Sequence, residues 1–120
     1  MPSLNTFGAI MTYAINLESD LAEYYKAAGD TDRALEADKR RSNLERVRRE
    51  NVVEITLEAI DGLDEADYNF QFDDTSEAGQ SAVEATAARF YEDVAPKINV
   101  RQAQRVLSRY AGQHAGLANA

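Results

Sequence analysis

The stretch NLESDLAEYY, residues 16–25, places a carboxylate in the middle of an apolar helical stripe. Apolar residues recur there every three or four positions, which is the period of one face of a helix. The stripe contains Leu4, Phe7, Met11, Ala14, Glu18, Leu21, Tyr25 and Ala28. A carboxylate on a core-facing stripe is costly unless a cation or hydrogen-bond donors accompany it. The fold must therefore provide a partner for Glu18.

Few helix breakers interrupt the chain, and their positions predict four helices. The only two prolines are Pro2 and Pro96, and two of the six glycines, Gly29 and Gly62, fall between candidate elements. The predicted helices span about 4–28, 32–60, 76–95 and 100–117. An alternating strand pattern occurs only in YNFQF, between the second and third helices. We therefore expect one all-α domain over residues 1–120.

The lengths of the connections predict how the helices are arranged. The short links GDTD and APKIN favour antiparallel hairpins at about 4–60 and 76–117. The link from Gly62 to Thr75 has 14 residues, and at roughly 3.3 Å per residue it can span about 45 Å. A helix of about 29 residues is roughly 43 Å long. Two helical hairpins joined by such a long crossover have the connectivity of a ferritin-like four-helix bundle.

The two predicted hairpins begin with similar segments. Glu18 is followed seven residues later by Tyr25, and Glu84 is followed seven residues later by Tyr91. In both segments the Glu and the Tyr lie two helical turns apart on one face. The match indicates a duplicated hairpin.

These segments, LESDLAEYYKAAG and VEATAARFYEDVAP, resemble helices one and three of the rubrerythrin-like branch of the ferritin-like superfamily. The resemblance implies that Glu18 and Glu84 bind a di-iron centre. It also implies a Glu-x-x-His motif on each partner helix, and oxygen or peroxide chemistry at the iron. Several carboxylates and imidazoles converging between four helices suit such a centre.

The partner helices depart from this pattern. His114 is the only histidine, and Ala111 stands three residues before it. On the second helix, the family layout aligns Asn51 and Glu54 with the motif. The resemblance therefore implies a reduced metal site of Glu18, Glu54, Glu84 and His114, which would hold iron or manganese. Whether such a site supports catalysis stays open.

A second hypothesis is a metal-free scaffold or protein-interaction module with a decayed di-iron site. In that case Glu18 and Glu84 accept hydrogen bonds from core tyrosines or pair with an inward-facing arginine. The candidate arginines are Arg40, Arg48 and Arg109.

Charge and composition limit the partners. The net charge of −8 argues against nucleic-acid binding. The basic run KRRSNLERVRRE, interleaved with acids, is typical of a solvated helix face, and an anion site is the alternative. Without cysteine, thiolate sites and disulfides are excluded. No apolar run has membrane-spanning length and no signal peptide is recognisable, so we expect a cytoplasmic protein. We also expect a homodimer or higher homo-oligomer.

Overall fold

The computed structural model describes residues 4–51 and 60–120, and this part of the chain is helical without β-strands. Its four long helices are α1 (Phe7–Ala27), α2 (Thr31–Glu50), α3 (Glu77–Val94) and α4 (Arg101–Ala118). Two short 3-10 turns, Glu65–Asp67 and Ala95–Lys97, lie in the connections. The prediction of an all-α fold with four helices is confirmed, and YNFQF forms no strand.

Polar side chains cap the N-termini of three of the four helices. The side chains of Thr6, Asp30 and Ser76 accept hydrogen bonds from backbone N–H groups of α1, α2 and α3, respectively. Such caps satisfy donors that the first helical turn leaves without partners. Between α1 and α2, Gly29 adopts a φ of 80°, which favours glycine. The turn predicted from GDTD therefore forms as expected.

Within the described residues the second helix covers Thr31–Glu50 of the predicted 32–60. It stops at Glu50, and Asn51 caps it by donating from its side chain to the Val47 carbonyl. Asparagine competes with helix continuation because its side chain bonds to nearby backbone groups. Ile60 is not helical, and its N–H donates to the Asn5 carbonyl at 2.8 Å. The remainder of the predicted helix, residues 52–59, lies outside the described residues.

The crossover follows α1 along its length. It begins where the Ile60 N–H meets the Asn5 carbonyl, just before α1 starts. It ends near the C-terminus of α1, where the Tyr24 hydroxyl donates to the Asp74 carbonyl at 2.5 Å. The chain then enters α3 from that end of the molecule. As a result α3 runs antiparallel to α1, as the length of the connection predicted.

Aromatic side chains hold the crossover to the bundle. Tyr68 is buried, its ring centroid lies 5.3 Å from that of Phe90, and its hydroxyl donates to Asp93 at 2.6 Å. Phe70 and Phe72 stack on each other and pack against the core. Aromatic pairs of this kind contribute beyond the area that they bury. The predicted packing of the YNFQF aromatics along the bundle is confirmed.

Helices α2 and α4 lie side by side and antiparallel. Side-chain hydrogen bonds join them, among them Asn51–Gln102, Asn43–Tyr110 and Arg40–Gln113. From one of these pairs to the next, the position on α2 and the position on α4 change by the same number of residues in opposite directions. The antiparallel register of the two helices is therefore constant. Together with α1 against α2 and α3 against α4, this contact closes the bundle around one core.

The outer faces of the helices are polar. Of the helices within residues 4–51 and 60–120, none combines the length and the apolar composition that crossing a bilayer requires.

The approach of the crossover to α3 can be tested at Gly79. A Cβ atom at this position would lie 2.3 Å from the backbone oxygen of Asp74. We expect Gly79→Ala to lower the free energy of unfolding by about 1–3 kcal/mol, because the backbone must move to accommodate the methyl group. Urea denaturation measures the change.

Gly112→Ala is the matched control, because a Cβ at Gly112 on α4 meets nothing within 4 Å. Alanine is the better helix former, so this substitution should stabilise the protein by about 0.5–1 kcal/mol. Equal stabilities for the two variants would contradict the close approach of the crossover to α3.

Candidate functional site

Three of the predicted site residues meet in the centre of the bundle. Glu18 comes from α1, Glu84 from α3 and His114 from α4, and all three side chains are fully buried. Each lies on the core-facing stripe of its helix. The helical periodicity therefore predicted correctly that Glu18 faces the core.

The imidazole of His114 lies between the two carboxylates. Its Nε2 is 2.8 Å from Glu18 Oε2, and its Nδ1 contacts Glu84 Oε2. An ionised carboxylate only accepts hydrogen bonds, so with both glutamates ionised both ring nitrogens must carry hydrogen. Burial by itself lowers the pKa of His114, but the hydrogen bonds to Glu18 and Glu84 outweigh it and raise that pKa above its usual value. The two carboxylates therefore favour the imidazolium form of the ring.

The two tyrosines of the repeated segments bind each other's glutamates. The Tyr25 hydroxyl on α1 donates to Glu84, and the Tyr91 hydroxyl on α3 donates to Glu18 at 2.6 Å. This exchange requires α1 and α3 to be antiparallel, because each tyrosine lies two turns beyond its own glutamate. The Tyr91 ring also stacks on His114 with its centroid 5.3 Å away. The matched seven-residue spacing thus becomes a reciprocal pair of hydrogen bonds.

Arg40 on α2 provides the fourth charged group. Its Nε donates to Glu18 Oε1 at 2.8 Å, and the residue is only 5% exposed. Burial by itself raises the pKa of Glu18, but the hydrogen bond and charge of His114, the charge of Arg40 and the hydrogen bond from Tyr91 together lower it. Glu18 is therefore held as a carboxylate in the core. Of the three arginines proposed from the sequence, Arg40 is the one that pairs with it.

The four charged groups balance one another. Glu18 and Glu84 provide two negative charges, and Arg40 and protonated His114 provide two positive ones. Within the described residues, every buried side-chain nitrogen or oxygen has a hydrogen-bond partner. A buried ionic network is tolerated when its charges are paired and its hydrogen bonds are complete.

From the second helix, Arg40 reaches the central carboxylate of Glu18. Asn51 lies at the end of α2, where it bonds to Gln102 and not to the central charges. Glu54, the predicted substitute ligand, lies outside the described residues. The residue that reaches Glu18 is Arg40.

The position of Arg40 could have been found by extending the apolar stripe of α2 backwards. Its buried residues are spaced by three or four positions: Ala34, Ala37, Arg40, Leu44 and Val47. Ala37 precedes Arg40 by three residues, and Ala111 precedes His114 by three.

The central side chains fit a metal ion poorly. The two nitrogens of His114 face different carboxylates, whereas ligands of one ion must face a common point. Arg40 adds a fixed positive charge beside Glu18. Within residues 4–51 and 60–120, no three metal-ligating side chains are grouped in a way that could hold an ion.

Comparisons of the chain with protein-family models, with curated proteins and with solved structures gave no match. The assignment of a function therefore depends on the residues and their geometry.

The central network predicts a maximum of stability in mildly acidic solution. The lowered pKa of Glu18 stabilises the fold above its usual value of 4.5, and this contribution is lost as the pH falls through the lowered pKa. The raised pKa of His114 stabilises the fold below its usual value of 6.5, and this is lost as the pH rises through the raised pKa. Urea denaturation at a series of pH values should show both limbs. The alkaline limb should disappear in His114→Gln.

Removal of one central charge should lower the free energy of unfolding far more than removal of a surface charge. Glu18→Gln leaves Arg40 and His114 with an uncompensated positive charge, so we expect a loss of about 3–5 kcal/mol of unfolding free energy. The control is Glu23→Gln on the same helix, where the exposed pair with Lys26 should contribute about 1 kcal/mol or less. Equal small losses in both variants would argue against the buried ion pair.

Proposed function

We propose that this chain is a ferritin-like bundle of the rubrerythrin-like type in which a buried ion network has replaced the metal site. In this proposal the protein works without iron, as a binding module. Two observations support the relationship: the reciprocal hydrogen bonds of Tyr25 and Tyr91 with the glutamates of opposite hairpins, and the long crossover beside α1.

The single observation that carries the metal-free function is the contact of the Arg40 Nε with Glu18 Oε1 at 2.8 Å. A guanidinium stays protonated at any physiological pH. It therefore supplies permanently the positive charge that a buried carboxylate needs. A divalent ion beside Glu18 would have to bind against this charge.

Burial is a second reason to favour binding over redox catalysis. Glu18, Glu84 and His114 are all completely shielded from solvent. All four carboxylate oxygens and both ring nitrogens of this group are engaged in hydrogen bonds. A substrate could reach them only after this network opened.

The competing proposal is a metal-binding protein, in which Glu18, Glu84 and His114 hold one iron or manganese ion. The observation in its favour is that two carboxylates and an imidazole, all ligands of such ions, touch one another. It requires the imidazole to turn away from one carboxylate and to lose its proton.

Metal content and thermal stability distinguish the two proposals. We expect protein purified without added metal to contain no stoichiometric iron or manganese by elemental analysis. We also expect equal melting temperatures with iron, with manganese and with a chelator, because a ligand stabilises only the state that binds it. A stoichiometric metal whose removal lowers the melting temperature would overturn the metal-free proposal.

A gain-of-function variant provides the matched control. The triple substitution Ala37→Glu, Arg40→His and Ala111→Glu would create Glu-x-x-His on both α2 and α4. We expect this variant, unlike the natural chain, to bind metal and to become more stable when metal is added. If it folds in the presence of metal and does not bind any, the proposed relationship to di-iron bundles is wrong.

The remaining partners stay predictions. Sedimentation equilibrium tests the expected self-association. Titration with labelled oligonucleotides tests the expected lack of nucleic-acid binding, at low salt because any electrostatic affinity is greatest there.

A further inference from the structure

A groove on the surface between α2 and α4 opens directly above the central network. Its floor includes Arg40, and its sides include Lys39 and Arg46 from α2 and Arg109 from α4. Glu36 is the acidic residue that lines it. The groove is therefore cationic.

This local charge is opposite to that of the whole protein. The chain carries a net charge of −8, which repels anions at long range. An anion that binds must therefore do so through the local cations of the groove.

Two of the groove cations lack a carboxylate partner. In the part of the chain that the structure describes, Lys39 and Arg109 form no ion pair. Arg41, by contrast, is paired with Asp38 and Glu45. The basic run on α2, interleaved with acids, was predicted to be a solvated helix face, and Lys39 is exposed there.

Arg40 connects the groove with the interior. It donates through Nε to Glu18 and through Nη1 to Gln113. A guanidinium carries five N–H donors, so Nη2 remains able to donate, and Arg40 is one of the residues that line the groove. A buried guanidinium with its position fixed by Glu18 loses little entropy when it binds a further acceptor.

We infer that the groove between α2 and α4 binds a small multivalent oxyanion bearing phosphate or carboxylate groups. Arg40 donates to one oxygen at the floor, while Lys39 and Arg109 neutralise the charge from opposite sides. Planar guanidinium groups match the geometry of such anions. This inference rests on the proposed role as a binding module and names the class of ligand.

Binding of two probe anions tests the groove. Chelator-treated protein is titrated with inorganic pyrophosphate and, separately, with citrate, by calorimetry at low ionic strength. We expect saturable binding of at least one probe, which added salt weakens, and little binding of monovalent acetate. The pyrophosphate and citrate titrations distinguish a phosphate-bearing from a carboxylate-bearing ligand.

Two variants with opposite expected effects locate the site. The double substitution Lys39→Gln and Arg109→Gln should weaken binding at least ten-fold. Glu36→Gln removes the acidic residue from the groove and should strengthen it. All three side chains are exposed, so these substitutions should leave the fold intact, which circular dichroism verifies.

Loss of two cations elsewhere is the control. Lys26→Gln with Arg101→Gln removes the same charge from exposed positions on α1 and α4 and should leave the affinity unchanged. Absence of saturable binding, or an equal loss of affinity in this control, would overturn the anion site. Neither result depends on metal content, so failure here is distinct from failure of the metal-free proposal.

Discussion

The balance of charge around Glu18 is the constraint on which the rest of the structure depends. A carboxylate with no exposure must have cations or donors beside it, and Glu18 has Arg40, His114 and Tyr91. These partners come from three other helices. The position of one acidic residue on α1 therefore fixes how α2, α3 and α4 are placed around it.

Such a network contributes more to the specificity of the helix packing than to the free energy of unfolding. An apolar core of similar volume is often at least as stable as a buried ion network, whereas a network with one member missing is strongly destabilised. A rotation of α3 would separate Tyr91 from Glu18 and Glu84 from Tyr25 at the same time. The reciprocal contacts thus disfavour alternative packings of the two hairpins.

The metal-free and the anion-binding proposals both follow from Arg40. On one side its guanidinium provides the charge that a metal ion would otherwise supply to Glu18. On the other side it lies at the floor of the groove between α2 and α4. Glu18 holds the guanidinium in place, so the interior network prepares a donor at the surface. In these two proposals the same residue replaces a metal ion in the interior and contributes a donor to an anion site at the surface.

The sequence by itself determined the all-α class and the core-facing positions of Glu18 and Glu84, because helical periodicity is a local property of the chain. It predicted the crossover from the length of a link, and it indicated His114 only through the resemblance. It did not determine the contacts of Asn51, which bonds to the Val47 carbonyl and to Gln102. It also left three arginines as candidate partners for Glu18. Only the tertiary structure selected Arg40 and set His114 between two carboxylates, since these contacts join residues distant in sequence, and their geometry depends on how all four helices pack.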